Sequence, residues 1–132
     1  MNLTALLFVG GGGALGAMSR YGLTILLSRF GGLPFGTFLS NLLGCLFMGV
    51  VLQWFAESDW VAGTALEHEP HRLLLAVGFC GSFTTLSALV YEVSGMLQRD
   101  ELLTAFGYLL ATLGGGFLFF YVGILLVRLL SA

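Results

Sequence analysis

The chain has 132 residues, 58% of them hydrophobic, with five arginines, no lysine and seven acidic residues, for a net charge of −2. So apolar and sparsely charged a composition belongs to an integral membrane protein. It offers no basic surface for nucleic acid, which is excluded as a partner.

Four apolar segments follow one another at about 3–27, 36–56, 73–97 and 102–130. Each reaches the roughly 20 residues that a helix needs to cross a bilayer. The expected fold is therefore an all-α membrane protein, with residues 1–132 forming a single four-helix transmembrane domain. No basic stretch precedes the first run, so it reads as a retained span and not a cleaved signal. The joints are short and hold most of the charge. Basic residues are evenly shared: Arg72 and Arg128 flank one side of the membrane, and Arg29 and Arg99 the other. Orientation follows an excess of Lys and Arg in short loops. With almost no excess, dual topology is expected and, from it, an antiparallel dimer.

The first span contains Gly11-Gly12-Gly13-Ala14-Leu15-Gly16, which satisfies G-x-G-x-x-G. A dinucleotide fingerprint needs a strand, a βαβ unit and an acidic partner, and a membrane helix supplies none of them. Close helix packing is the better reading, through Gly12 and Gly16, with Gly13 and Ala17 repeating the spacing. Arg20 lies about 10 Å inside the end of this span at helical rise. It either snorkels to the interface or lines a watery mouth that attracts anions.

In the second span, Asn41 is the strongly polar residue of the run 38–52. An amide in a bilayer must find partners. It either joins helices or donates N–H to a passing anion, with Thr37 and Ser40 nearby to extend a polar track. Cys45 here and Cys80 in the third span read as small buried residues.

The acidic joint 57–72 carries Glu67, His68, Glu69 and His71. A metal site there is conceivable but secondary to a solvated loop.

The third span holds Gly78-Phe79-Cys80-Gly81-Ser82-Phe83-Thr84-Thr85-Leu86-Ser87. Two glycines and four hydroxyl residues at its centre are poor chemistry for a plain lipid-facing helix. Unpaired backbone at membrane depth survives only when buried in protein or lining a polar cavity. The stretch reads as a helix broken at its centre, exposing carbonyls and hydroxyls to an ion. The alternative is a continuous helix whose small residues pack against neighbours. Glu92, about 12 Å further along a helix, falls near a membrane surface.

In the fourth span, Thr104, Tyr108 and Thr112 recur every four residues and share a face, which meets either a partner helix or a pathway. Gly114-Gly115-Gly116 permits close packing or a bend. No nucleophile stands with a base, and no acid pair is buried at ligand spacing, so an enzyme is not expected.

The three motifs together resemble the small bacterial fluoride channels, the Fluc or CrcB family. The third-span stretch resembles that family's G-F-C-G-G-[FL]-T-T-F-S-T-F. Gly36-Thr37, Asn41 and Gly44 resemble its G-T-x-x-x-N-x-x-G, and Gly12 to Ala17 followed by Arg20-Tyr21 resembles its first-span motif. The resemblance implies a dual-topology antiparallel homodimer in the bacterial plasma (inner) membrane. Its two pores would pass fluoride and exclude chloride, a passive export that lowers cytoplasmic fluoride. It further implies a structural Na+ at the dimer centre, held by the backbone carbonyls of Gly81 and Thr84 from each subunit. Carried over by motif, Asn41, Ser87, Tyr108 and Thr112 line the pore, with Arg20 and Glu92 at the vestibules.

Leu86 and Leu89 occupy pore-lining positions where the family has phenylalanine, whose ring edges carry positive charge. Ser82 replaces a Gly and Ala88 a Thr. Three consequences stay open: pairing with a second, homologous subunit that carries the rings, a pore merely narrowed by leucine, or altered selectivity. Two rivals from other classes are a small four-span cation or drug exporter and a structural subunit of a larger complex. The exporter would need a buried Glu in the first span, which has none.

Overall fold

The structure, a computed structural model, describes residues 2–57 and 70–131, and all of its regular structure is helical. Helix α1 runs Leu3–Leu27 and α2 runs Phe35–Glu57. The third span is two helices, α3 at 70–83 and α4 at Leu86–Gln98, and α5 runs Leu102–Ser131. Of the acidic joint, Glu67, His68 and Glu69 lie outside the described residues.

Sequence sets these ends locally. The Asn2 side chain accepts the Thr4 N–H at 3.1 Å and caps α1. Gly32, at φ +109°, turns the chain toward α2 in a conformation that favours glycine. Pro70 opens α3, where a missing N–H costs nothing. Asp100 takes φ +60° in the turn before α5, a region aspartate tolerates better than most side chains.

Among the described residues, three stretches can cross a membrane by length and composition: Phe35–Glu57, Pro70–Gln98 and Leu102–Ser131. Helix α1 is as long, at 25 residues. Its run Gly10 to Gly13 and its Ser19 and Arg20 dilute the hydropathy that leucines elsewhere in it supply.

The helices pack chiefly as two pairs, α2 with α5 and α1 with α3. Glycine makes both seams. A Cβ on Gly12 would overlap the Leu74 carbonyl, and one on Gly16 the Phe79 carbonyl. A Cβ on Gly78 would stand 2.7 Å from the Val9 carbonyl oxygen. The α1–α3 backbones are therefore in direct contact, as small-residue packing in membranes allows. The α3 side of that seam, Leu73–Cys80, is a π-helix, a widened form often found at functional sites. Gly49 and Gly123 do the same for α2 and α5, against Phe120 and Leu46. Helix α5 runs unbroken through Gly114-Gly115-Gly116. Gly115 there faces the Leu42 side chain, and Gly116 faces Cys45 Sγ.

A small core of Leu89, Met96, Ala105 and Tyr108 joins α4 to α5, with Phe38 of α2 against it. A second cluster stacks Phe79 on Phe83 at 5.5 Å and sets Phe47 edge-on to Phe79 at 5.6 Å. The outer surface is studded with large apolar side chains from every helix. A surface so apolar belongs in lipid or against a partner.

Candidate functional site

The third span breaks at Thr84 and Thr85, which are extended (φ −83°, ψ 154° and φ −152°, ψ 115°) between helical neighbours. A break at membrane depth must find other partners for its backbone groups. Here most of those partners are side chains. Asn41 of α2 takes Thr85 by both polar backbone groups: Oδ1 accepts the Thr85 N–H at 2.7 Å, and Nδ2 donates to the Thr85 carbonyl at 3.2 Å. That pairing fixes which end of the amide is oxygen. Thr85 Oγ1 then accepts the Ala88 N–H at 3.2 Å and caps α4. Arg20 Nε donates to the Ser82 carbonyl at 3.1 Å. Cys80 lends its carbonyl twice, to the Thr84 N–H at 3.0 Å and to Thr84 Oγ1 at 2.9 Å.

These bonds leave a pattern. In a continuous helix the Thr85 N–H would serve the Gly81 carbonyl, and the Ala88 N–H would serve Thr84. Both N–H groups are diverted, one to Asn41 and the other to Thr85 Oγ1. Gly81 is exposed and Thr84 half-buried. The C-terminal end of α3 thus offers carbonyl oxygens, which suit a cation. Beside it, the N-terminal end of α4 offers a positive dipole end, which suits an anion.

A groove of about 440 Å³ runs alongside, its wall including Asn41, Thr84, Thr85, Leu86, Leu89 and Thr112. Asn41 has spent one N–H on Thr85 and keeps a second to donate. Thr85 Oγ1 and Ser87 Oγ lie 3.2 Å apart, and two hydroxyls sharing one bond leave one O–H free. Thr112 donates its hydroxyl to the Tyr108 carbonyl at 2.8 Å.

Tyr108 leads from the groove to a second polar cluster. Its Oη donates to Glu92 at 2.7 Å, and Thr37 Oγ1 donates to the other carboxylate oxygen at 2.5 Å. One carboxylate thereby ties α4 to α2 and α5. Glu92 also lines a mouth cavity of about 590 Å³ with Ser94, Gly95 and Arg99. Arg99 pairs there with Glu101 at 3.0 Å.

The structure therefore gathers Asn41, Leu86, Leu89 and Thr112 on one groove and bonds Tyr108 to Glu92. Ser87 sits exposed above Thr85, outside the groove wall. Leu86 and Leu89 part company: Leu86 is 68% exposed, whereas Leu89 is 1% exposed and belongs to the core. Arg20 stands on the α1 side of the break, bound to backbone. The stripe on α5 divides, because Tyr108 and Thr112 are buried but Thr104 is exposed. Ser40 turns its hydroxyl to the Thr37 carbonyl at 3.0 Å. Gly13, with Ser82 Oγ beside it, is peripheral to the seam that Gly12 and Gly16 make. Among the described residues, no group of three or more His, Cys, Asp or Glu side chains is placed to hold a metal.

Sequence reasoning gave Thr85 no role of its own and gave Thr37 no partner. A Thr directly before the helical run Leu86–Gln98 is the N-cap signal that would have found Thr85.

Comparison with known sequences adds independent findings. The family profile described as "CrcB-like protein, Camphor Resistance (CrcB)" matches residues 7–124. A Prosthecochloris aestuarii protein named "Fluoride-specific ion channel FluC" is 43% identical over 129 residues, covering 97% of this chain and 96% of its own length. A Chlorobium phaeobacteroides protein of the same name is 40% identical over 122 residues, covering 92% and 90%. One from Gloeobacter violaceus, also so named, is 42% identical over 123 residues, covering 90% and 92%.

Proposed function

The chain belongs to the CrcB family and is a multi-pass membrane protein and fluoride channel, and we propose that it exports fluoride passively across a bacterial plasma membrane. An ion channel of this kind has no catalytic residue to supply. The observation that carries the reading is a row of polar groups through an apolar bundle. It runs from Asn41 and Thr85 at the break, by way of Thr112 and Tyr108, to Glu92 at the mouth. Fluoride is small and holds its water strongly, so a pore must replace that water with short donor contacts. Bonds to an anion are the strong kind, and neutral donors let the ion leave again, as a ring of cations would not. The spare N–H of Asn41 and the spare O–H of the Thr85–Ser87 pair are donors of this type. Arg20 meets the break from the α1 side, through its bond to the Ser82 carbonyl, and Glu92 closes the row at the mouth.

The working unit in this reading is an antiparallel dimer in which α1 also crosses the bilayer. Its support is the balance of arginines across the two sides, the exposed Leu86, and a groove open along one flank. Inverted copies would bring the two breaks together near the bilayer midplane, as in inverted-repeat transporters.

A structural sodium ion fits the same centre. The carbonyls of Gly81 and Thr84 have lost their helical donors and lie at a negative helix end. Two from each chain would make a set of hard oxygen ligands. When bound, the ion would hold the two breaks in register. Leu86 and Leu89 separate the homodimer from pairing with a ring-bearing homologue. Because Leu89 is buried in this chain's own core, we favour the homodimer.

The test is growth. A bacterium stripped of its own fluoride export and given this chain alone should grow in fluoride-containing medium. Continued fluoride sensitivity, with the protein present in the membrane, would rule against the homodimeric channel. A C-terminal tag labelled from both sides of the membrane in similar amounts checks dual topology.

A further inference from the structure

We infer that Asn41 and Thr85 are positioning residues for the sodium site, holding its two carbonyls open by capturing the N–H groups that would otherwise close them. The inference rests on the sodium reading above and concerns residues outside the ligand set.

The argument is one of competition. A helix leaves its first-turn N–H groups without intrahelical partners unless a cap or the preceding backbone supplies them. Ala88 is the third residue of α4, and the acceptor that would continue a helix backward is the Thr84 carbonyl. Thr85 Oγ1 takes that N–H instead, at 3.2 Å. The Thr85 N–H faces the same choice toward Gly81, and Asn41 Oδ1 takes it at 2.7 Å. Asn41 Nδ2 also holds the Thr85 carbonyl, so the peptide units on both sides of Thr85 are pinned in the extended form. Each captor therefore guards one carbonyl: Asn41 guards Gly81 and Thr85 guards Thr84. The arrangement couples the pore wall to the cation site, since Asn41 lines the groove with its remaining N–H. Gly44, one turn beyond Asn41, lets this happen, because a Cβ there would overlap Thr84 Cγ2.

The experiment is thermal unfolding of the purified full-length protein as sodium replaces N-methylglucamine at constant ionic strength. A cation that binds the folded state raises the melting temperature with the logarithm of its concentration once that concentration passes the dissociation constant. In Thr85→Val, which keeps the branched shape and removes Oγ1, the sodium concentration at which the rise sets in should increase roughly tenfold. Thr85→Ser should behave as wild type. Ala88→Pro removes the competing N–H altogether, at a first-turn position where proline is tolerated. Thr85→Val combined with Ala88→Pro should therefore recover wild-type sodium sensitivity, a rescue that a merely structural role for Thr85 would not give. Asn41→Leu should show the same loss through Gly81, and it carries the test if the valine variant does not fold. A valine variant with unchanged sodium response, or a double variant without recovery, overturns this inference alone. A wild-type protein indifferent to sodium overturns the sodium reading and this inference with it.

Discussion

The α1–α3 seam and the break between α3 and α4 solve opposite problems with different residue classes. At the seam, glycines let two intact backbones touch, and the fit is steric: Gly12, Gly16 and Gly78 are small because carbonyls of the facing helix fill the space. At the break the backbone is interrupted, and the fit is chemical. Asn41, Thr85 and Arg20 stand in for missing rungs of the helix. The seam cannot accept a larger side chain but needs no particular polar group. The break tolerates modest changes of size but needs an acceptor or donor at each named atom. The first is held by shape and the second by hydrogen bonds.

This contrast can be broken most severely at the seam. Gly78→Leu would drive a side chain into the Val9 carbonyl with no rotamer to escape by, at a cost above about 3 kcal/mol. The expected result is no monodisperse protein by size-exclusion chromatography. Asn41→Ala comes next. It removes both side-chain hydrogen bonds to the Thr85 backbone, worth roughly 1–3 kcal/mol together. A lower melting temperature and a fluoride flux reduced by more than about tenfold should both be seen, because the break also forms the groove wall. A seam residue that merely unfolds the protein would not separate those two readouts.

Leu89→Phe and Leu86→Phe sharpen the comparison within the break itself. The first overfills a core position and should cost roughly 1–3 kcal/mol. The second projects from an exposed position and should leave the melting temperature nearly unchanged while altering flux. Tyr108→Phe removes the Oη bond to Glu92, worth about 1.5 kcal/mol for a bond to a charged group. It should slow fluoride flux more than it lowers stability.

The smallest effect is expected outside the membrane. The hydrogen bond from Arg99 lowers the Glu101 carboxyl below its usual value. A carboxyl shifted in this direction contributes above its unfolded pKa and loses the contribution as pH falls through the lowered value. Both side chains are well exposed, so solvent screens the pair. Glu101→Gln at neutral pH should leave melting and flux unaltered.

Much of the fold could be read from the sequence because lipid constrains it so strongly. Long apolar runs announced the long helical stretches, and the crowding of Gly81, Ser82, Thr84, Thr85 and Ser87 announced the interruption. What stayed hidden was partnership. Nothing in the string says that Arg20 reaches 62 positions along to the Ser82 carbonyl, or that Thr37 and Tyr108 meet on Glu92. Such bonds depend on how α1, α2 and α5 pack around the break. That packing is set by glycine seams whose pairing a single sequence does not reveal. The same limit explains Leu86 and Leu89. They stand three apart on one helix, yet one faces outward and the other fills the core, because α5 covers only one side of α4.

The most direct measurement is fluoride efflux from liposomes holding this purified chain alone, followed with a fluoride-selective electrode and with chloride efflux as control. Rapid loss of fluoride with chloride retained is the predicted result, and it would show that leucines at 86 and 89 are compatible with a selective pore. Folded protein that releases no fluoride, or releases chloride equally fast, would contradict the account.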